Sequence, residues 1–282
     1  MSRRLPGLLA LVLAACAFAG AARAAEDVPY WEEEIAQGEL PPLAQRLPER
    51  PLVVDDGRAV GVYGGDWRML INRAKDTRLL VVFGYARLVG YDTNLELVPD
   101  ILESLEVEEG RIFTLHLRPG HKWSDGAPFT AEDFRYFWED VALDRDLSPT
   151  GPPSIMLVDG KPPVFEVIDA TTVRYTWDGP NPDFLPALAS AVPLFIYRPA
   201  HFLREYHAAY GDPDALARKA AEASLSGWAA LHNDLDNLYK FDNPDLPTLQ
   251  PWRITTAAPA QRFVGERNPY SHKVDAQGRQ LP

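Results

Sequence analysis

The groups in this sequence able to hold a metal, attack an electrophile or move a proton are six histidines, one cysteine and forty acidic residues. Their spacing does not assemble any of these chemistries. His116 and His121 straddle the end of an alternating segment, and His201 and His207 are too far apart to share a helix face as metal ligands do. The single cysteine, Cys16, lies in an apolar run near the N-terminus, so a cysteine zinc site is excluded. Carboxylates are too many for counting to exclude a glycosidase pair, but Glu139 and Asp140 are helix neighbours that face apart and suit a solvated face. Asp234, Asp236 and Asn237 open like a calcium loop, but Tyr239 stands where the loop needs glycine and Asp245 where it needs glutamate. The nucleophile elbow, the phosphate-binding loop, the dinucleotide-binding spacing and the H-E-x-x-H zinc helix are all missing. What remains is non-covalent contact. Tyr85 and Trp252 are aromatic candidates for stacking on a ligand, although each also suits ordinary packing. No enzymatic activity and no cofactor is expected.

The elements that would carry such contacts are partly legible. Arg111 to Arg118 alternates, with Phe113, Leu115 and Leu117 on one face, as in a strand with one buried side. Trp123 to Gly126 reads as a turn. A helix then starts at Ala131: Thr130 is a good N-cap, Asp133 completes a capping box, and Phe129 and Phe134 form a hydrophobic staple. Phe134, Phe137, Trp138 and Val141 repeat at helical spacing, so this face is buried and Trp123 packs against it. Strands are expected at Asp66 to Asn72, Val164 to Val167, Thr172 to Trp177, Trp252 to Thr256 and Gln261 to Glu266. Leu79 to Leu88 suits helix or buried strand, and helices are expected at Phe184 to Ala191, Ala200 to Tyr210 and Asp214 to Ala223. His232 to Pro247 reads as a polar loop, and residues 25–60, rich in proline and glutamate, as an extended arm without a core. Strands and helices mix without a βαβ rhythm, which predicts an α+β fold.

The N-terminus resembles an export leader. Arg3 and Arg4 precede an uncharged run from Leu8 to Ala22, and Ala22-Arg23-Ala24 offers an A-x-A cleavage site ahead of Glu26 and Asp27. Leu13 to Cys16 is a rival lipobox, which would place a lipid on Cys16. The chain carries 28 basic and 40 acidic residues, the wrong sign for a protein that neutralises phosphates, so nucleic acid is excluded as a partner. No apolar stretch after the leader approaches the length needed to span a membrane.

Leu97 to Trp138 contains LVPDILES, then HLRPG, then WSDGAPFTAED, in that order. This region resembles the signature of the family 5 extracellular solute-binding proteins, which include peptide receptors of bacterial ABC importers. Asp178 to Leu185, Tyr197 to His201, Glu266 to Tyr270 and Val274 to Pro282 resemble further elements of that family. Pro251-Trp252 departs from a G-T-G-P-Y element, and Ser271-His272 stands where tryptophan is usual. The resemblance implies one mixed-sheet lobe of a two-lobed, type II-like periplasmic binding protein, with the second lobe absent. It implies residues 1–24 as signal peptide, 25–60 as the arm, 61–268 as the first lobe and 269–282 as the start of a crossing. The implied function is capture of a peptide or related solute and its delivery to an inner-membrane ABC permease, in the periplasm. By motif position the expected ligand contacts are Asn72 and Arg73 at the end of a first strand, Ser154 and Met156 in the loop Ser148 to Met156, and Tyr270 and His272 at the crossing, beside Tyr85 and Trp252. Peptides, oligosaccharides, nickel complexes and opines are all ligands of such proteins. Two alternatives are a periplasmic hydrolase, which would need carboxylates or a metal cluster converging in one pocket, and a non-transport interaction protein.

Overall fold

The computed structural model describes residues 27–55, 57 and 62–281. The leader, Cys16, Gly61 and Pro282 lie outside the described residues.

The alternating segment forms β5, as its pattern requires. In order along the chain the strands are β1 (Leu52–Val54), β2 (Val89–Tyr91), β3 (Leu97–Pro99), β4 (Leu102–Glu108), β5 (Ile112–Leu117), β6 (Val164–Asp169), β7 (Thr172–Thr176), β8 (Trp252–Ile254), β9 (Gly265–Arg267) and β10 (Lys273–Asp275). The central antiparallel sheet has the order β4-β5-β7-β6, with Leu105 opposite Leu115 and Leu115 opposite Val173. Phe113, Leu115, Val173 and Tyr175 sink into one core, shared with Trp123, Trp177 and Phe184. Three small two-stranded ladders surround it: β2-β3, β8-β9, and the parallel pair β1-β10.

The helices are α1 (Glu32–Ala36), α2 (Leu43–Arg46), α3 (Leu79–Gly84), α4 (Ala131–Arg135), α5 (Phe184–Ala189), α6 (Ala200–Leu203), α7 (Pro213–Glu222) and α8 (Trp228–Leu235). The capping box of α4 forms as expected: the Thr130 hydroxyl accepts from the Glu132 N–H, and the Asp133 carboxylate accepts from the Thr130 N–H at 2.9 Å. Asp133 also accepts from the Trp123 indole at 3.2 Å and the Ala200 N–H at 3.1 Å. Burial nonetheless dominates these bonds and raises its pKa to about 6. Beyond Arg135 the helix widens to π winding over Tyr136–Ala142. The wider turn changes which residues share a face. Phe137 and Trp138 stay in the main core, while Tyr136 and Val141 pack with Leu147, Ala200 and Leu203 in a second cluster.

Several expectations give way. Asp66 to Asn72 is irregular instead of a strand, because its alternating Trp67, Met69 and Ile71 meet no partner strand among the described residues. The polar segment read as a loop from His232 begins inside α8, whose Leu231 and His232 are buried. The described part of the arm carries two short helices and docks on the segment that holds β10. Arg46 is fully buried, paired with Asp27, and donates to the Pro269 carbonyl at 2.7 Å and to Gln280 Oε1 at 3.0 Å. Leu43 and Leu47 pack on Val274. No described helix is long and apolar enough to cross a membrane.

Candidate ligand-binding groove

An open groove of about 1540 Å³ separates the segment Val62–Ile71 from the β8-β9 ladder, with Leu80 and Ile254 among its lining residues and Tyr30 and Asp275 bordering it too. Ile254 packs with Val81 and Phe241. Trp252, two residues earlier on the same face of β8, lines the groove beside it. On the opposite wall Gly64 and Gly65 adopt φ of +113° and +82°, a turn that side-chain-bearing residues resist, and the chain then runs into Trp67. Trp67 lies 6.3 Å from Trp252 and 5.7 Å from Phe83, centroid to centroid. Charged side chains of both signs line the groove, among them Asp55, Asp66, Glu266 and Asp275 with Arg68, Arg262 and Arg267. Asp66 accepts from Arg68 at 2.8 Å, Arg253 faces Glu266 across the ladder at 3.3 Å, and Arg279 donates to Asp275 at 2.9 Å. Arg267 lies over the rings of Tyr63 and Tyr30, at 5.3 and 5.7 Å.

Of the eight positions expected from the sequence, Trp252 is the one that lines this groove. Asn72 and Arg73 are exposed just past its edge, their backbone N–H groups held by the Asp76 carboxylate at 3.2 and 3.1 Å. Ser154 is exposed on a different part of the surface, in a tight helical turn with Met156. Met156 itself is fully buried in the main core, and its carbonyl accepts from the Trp177 indole at 2.8 Å. Tyr85 has a left-handed backbone, and its hydroxyl donates to the Ala189 carbonyl at 2.8 Å. Tyr270 is buried against Gly126, whose φ of +89° leaves no room for a side chain: a Cβ there would sit 2.7 Å from the tyrosine hydroxyl.

His272 is buried as well, which removes it from the open surface. Its Nε2 lies 2.8 Å from Asp100 Oδ1, and Lys273 Nζ lies 3.1 Å from Oδ2. Burial works to raise the Asp100 carboxyl, but the His272 hydrogen bond and the Lys273 charge outweigh it and bring it down to about 2. Burial lowers the His272 pKa, so a neutral ring donates to an ionised Asp100 while Lys273 supplies the positive charge. The cluster anchors the segment after Pro269 to the β3-β4 corner. Trp67 and Phe83 were not singled out in the sequence. The available signal was a tryptophan two residues after a pair of glycines, within an alternating run that had no obvious partner.

Among the described residues no group of three or more histidines, cysteines and carboxylates is placed to hold a metal ion. The profile of the bacterial extracellular solute-binding proteins, family 5, matches residues 96–278. The chain is 29% identical to a periplasmic alpha-galactoside-binding protein of Rhizobium meliloti, over 90% of this chain and 37% of that protein. It is 33% identical to the periplasmic oligopeptide-binding protein OppA of Escherichia coli over 32% of this chain and 19% of that protein. Among solved structures, an oligopeptide-binding protein OppA superposes with a TM-score of 0.81 at 34% identity, covering 92% of this chain and 40% of that one. The binding protein MelB of Agrobacterium fabrum, solved with stachyose, gives 0.67 at 28% identity, with the same coverage. The chain thus spans about 40% of the length of the receptors it resembles along nearly all of its own. With the profile matching most of its residues, the chain belongs to the bacterial extracellular solute-binding proteins of family 5.

Proposed function

We propose that this chain captures a solute in the groove between Val62–Ile71 and β8-β9, and that it serves a bacterial ABC importer as one lobe of a two-lobed receptor. The observation that carries this reading is the match of 92% of the chain to 40% of an oligopeptide-binding protein, together with an open groove. In this reading residues 61–268 form the first lobe and 269–282 begin the crossing to the second. Residues 25–60 are the arm, and residues 1–24 are a leader removed on export to the periplasm, with a lipid on Cys16 as the alternative. Trp252, Asn72, Arg73 and Ser154 are the proposed contacts with solute or with the second lobe. Tyr85, Met156, Tyr270 and His272 position the walls from within. Relatives are named for peptides and for alpha-galactosides, so the solute is a peptide or a sugar.

One lobe offers part of the contacts that closure on a solute provides, while association costs about 4–15 kcal/mol in lost freedom. Val62 and Leu70 are almost fully exposed, and apolar surface of this kind promotes association. Residues 25–282 alone are therefore expected to bind weakly or not at all and to self-associate, and a second lobe, fused or added as a separate chain, is expected to restore both solubility and affinity. Calorimetry on the two preparations is the test. A monomeric chain that alone binds a peptide or sugar at micromolar affinity would overturn the half-receptor reading. Mass spectrometry of the exported protein is expected to find Ala25 at the N-terminus; an acylated Cys16 would reassign it to the membrane surface.

A further inference from the structure

We infer that the buried histidines His121 and His272 form an acid-released latch, which holds residues 269–281 and the arm docked on them against the body of the fold. His121 follows β5 and His272 precedes β10, yet their ring centroids lie 4.9 Å apart. His121 is 2% exposed and His272 1%. In each ring Nδ1 is buried without a hydrogen-bond partner. The Phe129 ring meets His121 edge to face at 5.6 Å. What the pair holds is the seat of the arm. The His272 carbonyl accepts from the Leu52 N–H at 2.9 Å, at the start of the β1-β10 ladder. Two residues further on, Val274 receives Leu43 and Leu47.

The charges around the pair leave no place for a further proton. Asp100, which follows β3, meets His272 through Oδ1, and its Oδ2 accepts from Lys273 and from the Arg87 N–H, each at 3.1 Å. Arg118, next after β5, donates to the Asp100 carbonyl at 3.2 Å and to the Arg50 carbonyl at 2.8 Å. Arg50 in turn pairs with Glu103 on β4. Arg87, Arg118 and Lys273 thus already set three cations around one ionised carboxylate. A proton on either ring would add a fourth charge at a site shut off from water. Burial keeps both rings neutral, helped at His121 by His272 and Arg118, and at His272 it outweighs the pull of Asp100. Once the segment lifts away, both rings meet water and take protons below a pH of about 6.5. The closed latch is therefore whole above that pH and weakens as pH falls below it. Asp100 loses its own contribution only between its ordinary 3.8 and about 2, beneath this window. Tyr30, Asp275 and Leu281 border the groove, so release of the segment takes down one end of it. Loss of solute in acid then follows on the receptor reading, whereas the latch itself stands without that reading.

Hydrogen exchange read by mass spectrometry reports on the latch without any ligand. The full chain would be compared at pH 7 and pH 5, with exchange rates corrected for the intrinsic rate at each pH. A histidine that is refused a proton weakens the closed state by up to about tenfold per pH unit below 6.5. Peptides that carry β1 and β10 are therefore expected to lose protection at least threefold at pH 5. His121→Phe keeps a buried ring that takes no proton, and is expected to cut this loss to less than half. His272→Gln is expected to lessen it as well. His232→Phe alters a ring in another cluster, beside Tyr136, and is expected to leave the loss unchanged. A wild-type loss smaller than threefold overturns the latch, whether or not any variant folds. A loss that survives both His121→Phe and His272→Gln overturns it too. So does a loss that disappears in His232→Phe alone, because the ladder would then open only with the whole fold. The receptor reading is decided separately, by the lobe-restoration experiment.

Discussion

Trp123 and Trp177 on the sheet side of the molecule, and Trp67 and Trp252 on the groove side, are the same residue under opposite constraints. The first two are fully buried, and each indole N–H has an acceptor, the Asp133 carboxylate and the Met156 carbonyl. They make a core that tolerates no vacancy. The second two line the groove, half exposed or partly so, with their rings tilted by 52° and their centroids 6.3 Å apart. The difference shows what fixes each region. The core is fixed by mutual packing, which resists change, whereas the groove wall is fixed by a short ladder and a glycine turn. Its aromatic rings are free to meet something that is not part of the fold.

Substitutions can break this comparison or sharpen it. The largest effect is expected for Trp177→Ala, which removes an indole packed on Phe113, Tyr175 and Phe184. Urea unfolding should show a loss of about 3–5 kcal/mol; a loss below about 1 kcal/mol would mean that the core is as permissive as the groove.

The next effect is felt through protons. Burial, followed by the neighbouring His207 and Arg198, lowers the pKa of His232 from 6.5 to about 3, and its Nε2 meets the Tyr136 hydroxyl at 2.8 Å. Between those two values the unfolded chain binds a proton that the folded chain refuses. Stability present at neutral pH is therefore lost as pH falls from about 6.5 toward 3, by up to about 1.4 kcal/mol per pH unit. Unfolding titrations at pH 7 and pH 5 should show the loss, and His232→Phe should reduce it. Asp133, whose pKa is raised, acts in the opposite direction: it stabilises the fold as pH falls through about 6. Removing His232 should therefore leave this opposing slope exposed.

Thr130→Ala should cost about 1 kcal/mol through the lost cap of α4. The smallest effect is expected at the groove. Trp67→Ala should change stability by no more than about 0.5 kcal/mol, as at other exposed positions. If its cost approached that of Trp177→Ala, Trp67 would be a packing residue and the contrast would dissolve.

What was legible in the sequence follows the same division. The cap of α4, the buried face of β5 and the burial of Trp123, Phe134 and Trp138 all depend on residues a few positions apart, and the structure has them as read. The π winding after Arg135 was not legible, because the residues of both faces are apolar and either winding buries some of them. Asp66 to Asn72 was read as a strand from its alternation alone, but alternation describes a face and cannot supply a partner strand. His272 was placed by motif near the ligand. The chain instead brings Asp100 to it from 172 residues away, a contact that no local pattern encodes. Of the residues that line the groove, only Trp252 was among the positions named from the sequence, since a solvent-facing ring and a misplaced core ring look alike in a one-dimensional pattern.

The docking of the arm has a further consequence, for the order of assembly. Arg46 lies 234 residues before its partner Gln280, and β1 pairs in parallel with β10. The capped helix and the β4-β5 and β6-β7 hairpins can form from neighbours in sequence, whereas the arm's seat is completed only by β10 and the residues that follow it. At translation rates of about 5–20 residues per second, the arm waits roughly 10–50 s for that seat. The fold therefore closes like a clasp, with the segment around Arg46 and β1 locked by the segment around β10 and Gln280. A chain halted before β10 would have a formed sheet and a loose N-terminal arm, in the state best suited to a protease or a translocation chaperone.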